Sequence, residues 1–334
     1  MRLYFFILFL TFVVLSCEKR LLKDNYTNHP TVVFNYLWED LDARYSYFKE
    51  KGIDKDSLYQ FYSSRIHDGL DRYQLFDTLT ALLFALEDGH VNLTSSFDRS
   101  RNWEWFQDYP LNFNENILRT NYLKKDFRIT GPFTNKVIDS VLYVRYPSFT
   151  SSFSTAHLNQ LIAWASNTKG VIIDIRHNGG GSLQLAERLA GALTKEDRVY
   201  GKSRYKTGKE LDDYSPWKML EIPAKEGDMF TVPVVVLTNR SSYSASSFFA
   251  LMVKALPNVT LMGDQTGGGG GVPVYGELPN GWRYRFSGSQ TISLEGNHIE
   301  FGVPVDIPVE LTPQDEANGV DTPLEQALLF LNGG

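Results

Sequence analysis

VVVLTNRSSYSASSFFALMVKALPNVTLMGDQTGGGGG, residues 234–271, runs from an apolar strand through a serine-rich turn directly into an apolar helix, then through a second strand to five glycines. A strand feeding a helix through a short turn is the repeating unit of an α/β sheet, and the turn is where such a unit exposes its chemistry. Ser244 stands at the start of the helix, where first-turn N–H groups lack intrahelical partners and the helix dipole favours developing negative charge. Locally, two readings of this serine stay open. It is either a helix cap, as serines commonly are, or a nucleophile. It does not sit in a G-x-S-x-G elbow, because Ser242 and Ser246 occupy the two glycine positions. No lysine follows Lys254, so a base for Ser244 has to come from far away in the chain.

Upstream, segments 137–146 and 170–175 read as strands and 155–166 and 183–193 as helices, continuing the α/β pattern. Downstream, 282–286, 290–294 and 298–301 read as short strands before a tail helix at 324–331. Segments 97–135 and 195–226 read as an irregular, aromatic stretch and a charged connection. Before this body, residues 28–88 carry apolar residues at helical spacing. Phe34, Leu37, Trp38, Leu41, Tyr45 and Phe48 form the first stripe, with Pro30 suited to the first turn and Gly52 to the stop. A second stripe follows Asp56 and a third begins at Leu75, and the three are most simply buried against each other as a helical bundle. Glu87-Asp88-Gly89-His90 ends it, with Gly89 suited to a left-handed cap and His90 on the turn into strand 91–95.

Two more clusters bear on chemistry. Residues 170–182, GVIIDIRHNGGGS, empty a buried strand into three glycines and then a helix, so backbone N–H groups there can face a cavity. That suits an oxyanion hole or an anion cradle equally. A nucleotide-phosphate loop is excluded, since no GK[ST] follows these glycines or those at 267–271, and GxGxxG is not met around Gly179. Among six histidines, His90, His177 beside the glycines and His298 near Glu300 have chemical neighbours.

Taken in order, DGH after a helical region, DIRHNGGG, TNRSSYSASS leading to GDQTGG, and EFGVPVD at 300–306 resemble the tail-specific or C-terminal-processing serine peptidases, the family that includes the tricorn core protease. The resemblance spans nearly all of the chain after residue 27. It implies an α/β, crotonase/ClpP-like ββα superhelical catalytic domain at 89–334 behind the N-terminal helical bundle, with no metal or cofactor and a polypeptide substrate. Site residues carry over as Ser244 for the nucleophile, and the N–H of Ala245 with Gly180 or Gly181 for the oxyanion hole. Each such donor is worth roughly 3 to 4 kcal/mol in the transition state. The lysine-dependent branch places its base 25 positions after the nucleophile, which here is Gly269. Lys254 lies about 15 Å along one helix from Ser244 and cannot replace it. The histidine-using, tricorn-like branch fits instead, with His90 as base and Glu300 orienting it. The serine that tricorn-like members place before the histidine is Gly89 here. Residues 96–135 are too few for the peptide-binding PDZ domain that many members insert, so the helical bundle and the aromatic loop at 103–109 are expected to wall the cleft.

At the other end, residues 1–16 form an apolar export signal, and Val14-Leu15-Ser16-Cys17 resembles the lipobox of bacterial lipoproteins, which implies lipidation of Cys17 and a tether over 17–27. The expected location is the bacterial cell envelope, with the body facing the periplasm or the cell surface. Cys17 is the single cysteine, so a disulfide within the chain is impossible. A formal net charge of -6 over 334 residues leaves no basic footprint for nucleic acid, while 43% hydrophobic content supports a buried core.

Overall fold

The computed structural model describes residues 28–102 and 108–333. The signal segment, Cys17, the tether and the loop aromatics Trp103, Trp105 and Phe106 lie outside the described residues.

Helix α1, Pro30–Arg44, buries Val33, Phe34, Leu37, Trp38 and Leu41 along one stripe, with proline in its first turn. It ends before the expected stop near Gly52: Tyr45 takes an extended backbone (φ -72°, ψ 129°), and its buried hydroxyl donates to the Leu86 carbonyl at 3.2 Å. Helix α2, Lys55–Ser63, is capped by Asp54. Helix α3, Arg72–Phe84, starts in a capping box of Asp71 and Gln74. These helices do not close a core among themselves; Leu278, Trp282, Tyr284 and Phe286 from the far end of the chain complete it. The left-handed residue after α3 is Glu87 (φ 47°), not Gly89. Strand β1, Asn92–Thr94, follows at once.

The segment read as one strand at 137–146 folds as two. Strands β2 (Arg128–Thr130), β3 (Phe133–Ile138) and β4 (Val141–Arg145) form an antiparallel meander. Asp139 and Ser140 both take positive φ, 45° and 69°, which is what a two-residue hairpin turn requires. Helix α4 (Thr155–Ala165), strand β5 (Gly170–Asp174) and helix α5 (Leu183–Gly191) then alternate as expected. The charged connection holds a hairpin, β6 (Arg198–Tyr205) with β7 (Lys218–Ile222), whose partly exposed, cation-rich strands lack an apolar run. Strand β8 (Val234–Thr238), helix α6 (Ala245–Lys254) and strand β9 (Val259–Gly263) form the unit from which the reading began. Strands β10 (Pro273–Glu277), β11 (Arg283–Ser287), β12 (Ser289–Ser293) and β13 (Ile307–Pro308) follow. The expected strand at 298–301 is a 3₁₀ turn, Ile299–Phe301. Helix α7, Thr322–Asn332, ends the described chain.

Seven strands form the central sheet in the order β13-β9-β8-β5-β4-β3-β2, parallel from β13 to β4. Both faces are covered, as parallel sheets require. Leu142, Val144, Val171, Ile173, Val234 and Val236 face one core with residues of α4, α5 and α6. Their neighbours Val141, Tyr143, Ile172, Val235 and Leu237 face the other, beneath Leu324, Ala327 and Leu328 of α7. The architecture is thus the α/β one implied by the resemblance, a central sheet with a helical N-terminal region.

Strands β5 and β8 are adjacent and parallel, with Asp174 opposite Leu237. The HNGGG and NRSSYS loops therefore leave the same edge side by side. Arg176 fastens that edge. Its guanidinium, with no solvent exposure, contacts Asp174 (Nη2 to Oδ2, 2.7 Å) and Asp321 at the start of α7 (Nη1 to Oδ1, 2.7 Å; Nη2 to Oδ2, 2.8 Å). Asp174 also accepts from the Tyr143 hydroxyl at 2.7 Å. Breaking a buried pair strands an uncompensated charge, typically at a cost of about 3–5 kcal/mol. Asp321→Ala is expected to lower unfolding free energy by about that amount, read as a drop in the urea midpoint with unchanged slope; a change under about 1 kcal/mol would refute the role.

Candidate active site

Ser244 adopts φ 56° and ψ -120°, which L side chains rarely occupy, and its hydroxyl caps nothing. Instead Ser244 Oγ lies 2.9 Å from His90 Nε2, across 154 residues of sequence. Such strain persists only where the surroundings over-determine it. The Ser244 N–H donates to Gly268 O at 2.9 Å, and three other serines of the turn bolt it to its neighbours. Ser242 Oγ donates to Ile175 O (2.8 Å), Ser246 Oγ to Asn178 O (2.7 Å) and Ser247 Oγ to Gly268 O (2.7 Å). The serine-rich turn thus divides into fasteners and one hydroxyl left facing a histidine.

The glycine loop packs directly on this turn. A Cβ on Gly180 (φ 95°) would lie 2.6 Å from Tyr243 O and 2.9 Å from Ser244 Cβ, so only glycine fits. Asn178 shapes the loop: its Oδ1 accepts from the Gly180 N–H at 3.0 Å and its Nδ2 donates to Tyr146 O at 2.9 Å. That bond occupies the N–H of Gly180, one of the two glycines assigned as oxyanion donors, and leaves Gly181 as the other. Gly181 is held by its flanks, with Ser182 N–H donating to Phe149 O at 2.9 Å, and the Ala245 N–H opens the first turn of α6.

His90 is buried, and burial pulls its pKa down to about 4 against the upward pull of Asp88; Arg285 and Lys51 lower it further. The imidazole is therefore neutral at pH 7 and able to take a proton. Its backbone N–H donates to Asp88 Oδ1 at 2.8 Å. His90 Nδ1 and Asp88 Oδ2 are both buried without a hydrogen-bond partner among the described residues.

Glu300 does not touch His90, contrary to its assigned part. Its carboxylate meets Lys51 Nζ at 2.9 Å through Oε1 and accepts the Gly270 N–H at 3.0 Å through Oε2. The reason is geometric: residues 299–301 form a turn under the glycine loop rather than a strand reaching the histidine. Lys51, which the sequence did not single out, completes the link. Its ammonium also donates to Glu87 O at 2.7 Å and Leu86 O at 3.2 Å, tying Glu300 to the strained turn that carries His90. No local pattern in Lys49-Glu50-Lys51-Gly52 marks this. Of the other histidines, His177 lines the cavity at Ser244 but packs its ring on Phe113, and His298 lies against Tyr47. The cavity is walled by Pro273 and Tyr275 of β10, Arg285 of β11 and loop residues such as Leu111 and His177; helices α1–α3 give it no wall among the described residues. Among the described residues, no group of three or more His, Cys, Asp or Glu side chains could hold a metal ion.

With this geometry in place, kinship can be stated. Residues 140–309 match the model of Peptidase family S41, and residues 21–84 match that of the Tricorn protease C1 domain. The chain belongs to Peptidase family S41, a family of serine peptidases. It is 27% identical over 145 residues to the carboxy-terminal processing protease CtpA of Bacillus subtilis, covering 43% of this chain and 29% of that one. The chain spans about a third of the length of the curated relatives it matches. Among solved structures it is similar to a candidate peptidase from Parabacteroides merdae (39% identity, TM-score 0.87, covering 91% of this chain and 97% of that one). It shares its fold with mature CPAF complexed with lactacystin (13% identity, TM-score 0.67, 91% and 97%).

Burial, then Asp88, raises the Glu300 pKa to about 7, opposed by Lys51. A carboxyl whose folded pKa lies above its unfolded value loses stability as pH rises through that window. Lys51→Met removes the opposing cation, so its cost is expected to be larger at pH 8, about 3–5 kcal/mol, than at pH 5, where Glu300 is protonated. Urea midpoints at the two pH values measure this; an equal cost at both would refute the coupling.

Proposed function

We propose that this protein is a serine endopeptidase that cleaves unfolded proteins or peptides through an acyl-enzyme, held by lipidated Cys17 on a membrane of the bacterial cell envelope. One observation carries the catalytic part: the strained Ser244 places Oγ 2.9 Å from the Nε2 of a buried, neutral His90. In this reading His90 accepts the Ser244 proton as Oγ attacks the scissile carbonyl carbon. The N–H groups of Gly181 and Ala245 hold the carbonyl oxygen as it becomes an oxyanion. His90 then gives the proton to the leaving amine, and water repeats the cycle on the ester. Glu300 acts through Lys51 on the turn bearing His90 rather than on the ring.

A second reading is a catalytically inactive peptide- or small-ligand-binding lipoprotein on this scaffold. It draws on the His90 Nδ1, which no acceptor among the described residues engages. A fluorophosphonate separates the two, since phosphonylation needs an activated Oγ and expels fluoride. The wild type is expected to be labelled, Ser244→Ala not at all, and His90→Ala at a rate lower by on the order of 100-fold or more, while His177→Ala and His298→Ala keep most of the rate. Because the depressed His90 pKa keeps the ring neutral, labelling should hold from pH 8 to pH 5 and fall towards pH 4. A folded wild type that resists labelling would leave the binding reading.

The anchor rests on the Leu15-Ser16-Cys17 pattern after an apolar segment; acyl chains on one cysteine suffice to hold a soluble body at a membrane. Cys17→Ala is expected to move the protein from the membrane to the soluble fraction, and retention on membranes would refute lipidation.

A further inference from the structure

Ser244 and His90 open onto a cavity of about 550 Å³ whose charged walls, among the described residues, have one sign. Arg101 and Arg285 line it, and no Asp or Glu side chain among the described residues does. The neighbouring cavity, about 720 Å³, shares Gly89, Asn102 and Tyr243 with it and carries Glu50, Glu87, Asp108 and Glu300 against Lys51 and Arg240. Charge is therefore sorted across the nucleophile, with the cationic side being the one that holds Oγ.

Arg285 belongs to the wall rather than to a loose rim. It sits mid-strand in β11, paired with Asn92 on β1 and with Tyr275 on β10, and both neighbours line the same cavity. It is partly buried, and its Nε is buried with no hydrogen-bond partner among the described residues. No carboxylate among the described residues lies within ion-pair distance of it, whereas Arg283, two residues earlier, reaches Glu277 at 3.3 Å. Its charge is close enough to help depress both His90 and Arg99. A partly desolvated guanidinium without an anion is costly, and its planar fork matches a carboxylate.

We propose that this cavity binds a carboxylate of the polypeptide substrate, seated on Arg285 with Arg101 beside it, so that the protein selects segments bearing an acidic side chain or a free C-terminus next to the bond at Ser244. This deepens the peptidase reading and rests on it for the meaning of that bond. The neighbouring acidic cavity would then disfavour the same group, which fixes the direction in which the chain lies.

Binding to Ser244→Ala protein tests the idea without turnover. Dye-labelled octapeptides, otherwise neutral, are compared by fluorescence anisotropy in two arms: Glu against Gln with the C-terminus amidated, and free acid against amide with no acidic side chain. At least one carboxylate form is expected to bind about tenfold tighter than its neutral counterpart, and the arm in which this occurs identifies the source. The ratio is expected to fall within twofold in Ser244→Ala/Arg285→Gln and to be partly kept in Ser244→Ala/Arg285→Lys, with melting temperatures confirming that both fold. No carboxylate form exceeding its counterpart, or a preference that survives Arg285→Gln, overturns the proposal. Fluorophosphonate labelling of the wild type reads the peptidase proposal separately: labelling without a carboxylate preference removes only this inference, and a preference without labelling removes only the acyl-enzyme.

Discussion

A guanidinium sealed from solvent between two carboxylates holds the carboxyl edge of the central sheet together. Arg176 follows β5 by two residues, reaches back to Asp174 and across to Asp321 at the head of the last helix, and its charge is stable there only because both anions are present. Ser244 and the glycine loop hang from that edge. The next residues, His177-Asn178-Gly179-Gly180-Gly181, turn over Ser244, and their path is set by where Arg176 fixes the strand end. Asn178 extends the same logic one step further, taking the Gly180 N–H and bonding to Tyr146.

The second constraint is backbone strain at one residue. Ser244 is held at φ 56° by bonds made on either side of it: its own N–H to Gly268, the hydroxyls of Ser242 and Ser246 to the loop after β5, and that of Ser247 to Gly268 O. Glycine at position 268 belongs to the same arrangement, since a Cβ there would collide with Glu300 O at 1.9 Å. The stability stored in these fasteners offsets the strain, and the result is a hydroxyl directed at a base instead of back into its own helix.

Electrostatics join parts of the chain that share no local pattern. Lys51 lies between Glu300 and the Leu86 and Glu87 carbonyls, so the N-terminal helices, the turn with His90 and the glycine loop meet at one ammonium. Burial keeps His90 neutral while Lys51 and Arg285 hold down its basicity. Carboxylates, with Lys51 and Arg240 among them, gather on one side of the nucleophile, and Arg101 and Arg285 on the other.

Local sequence determined much of this: the apolar runs of β5 and β8, the helix stripes, the glycines that must approach a neighbour, and the pairing of Ser244 with His90 once the motifs were taken in order. The first three are short-range properties, written in periodicity or in a residue type that only one backbone conformation accepts; the pairing, across 154 residues, is what the family resemblance implied. Where the sequence misled, long-range forces had decided. The cation-rich hairpin at β6 and β7 has no apolar run to announce it, and helix α1 stops at Arg44 because Tyr45 is drawn to Leu86. Glu87 rather than Gly89 takes the left-handed turn. Glu300 meets Lys51 instead of His90, because which of several carboxylates a buried cation selects depends on distances that only the folded chain establishes.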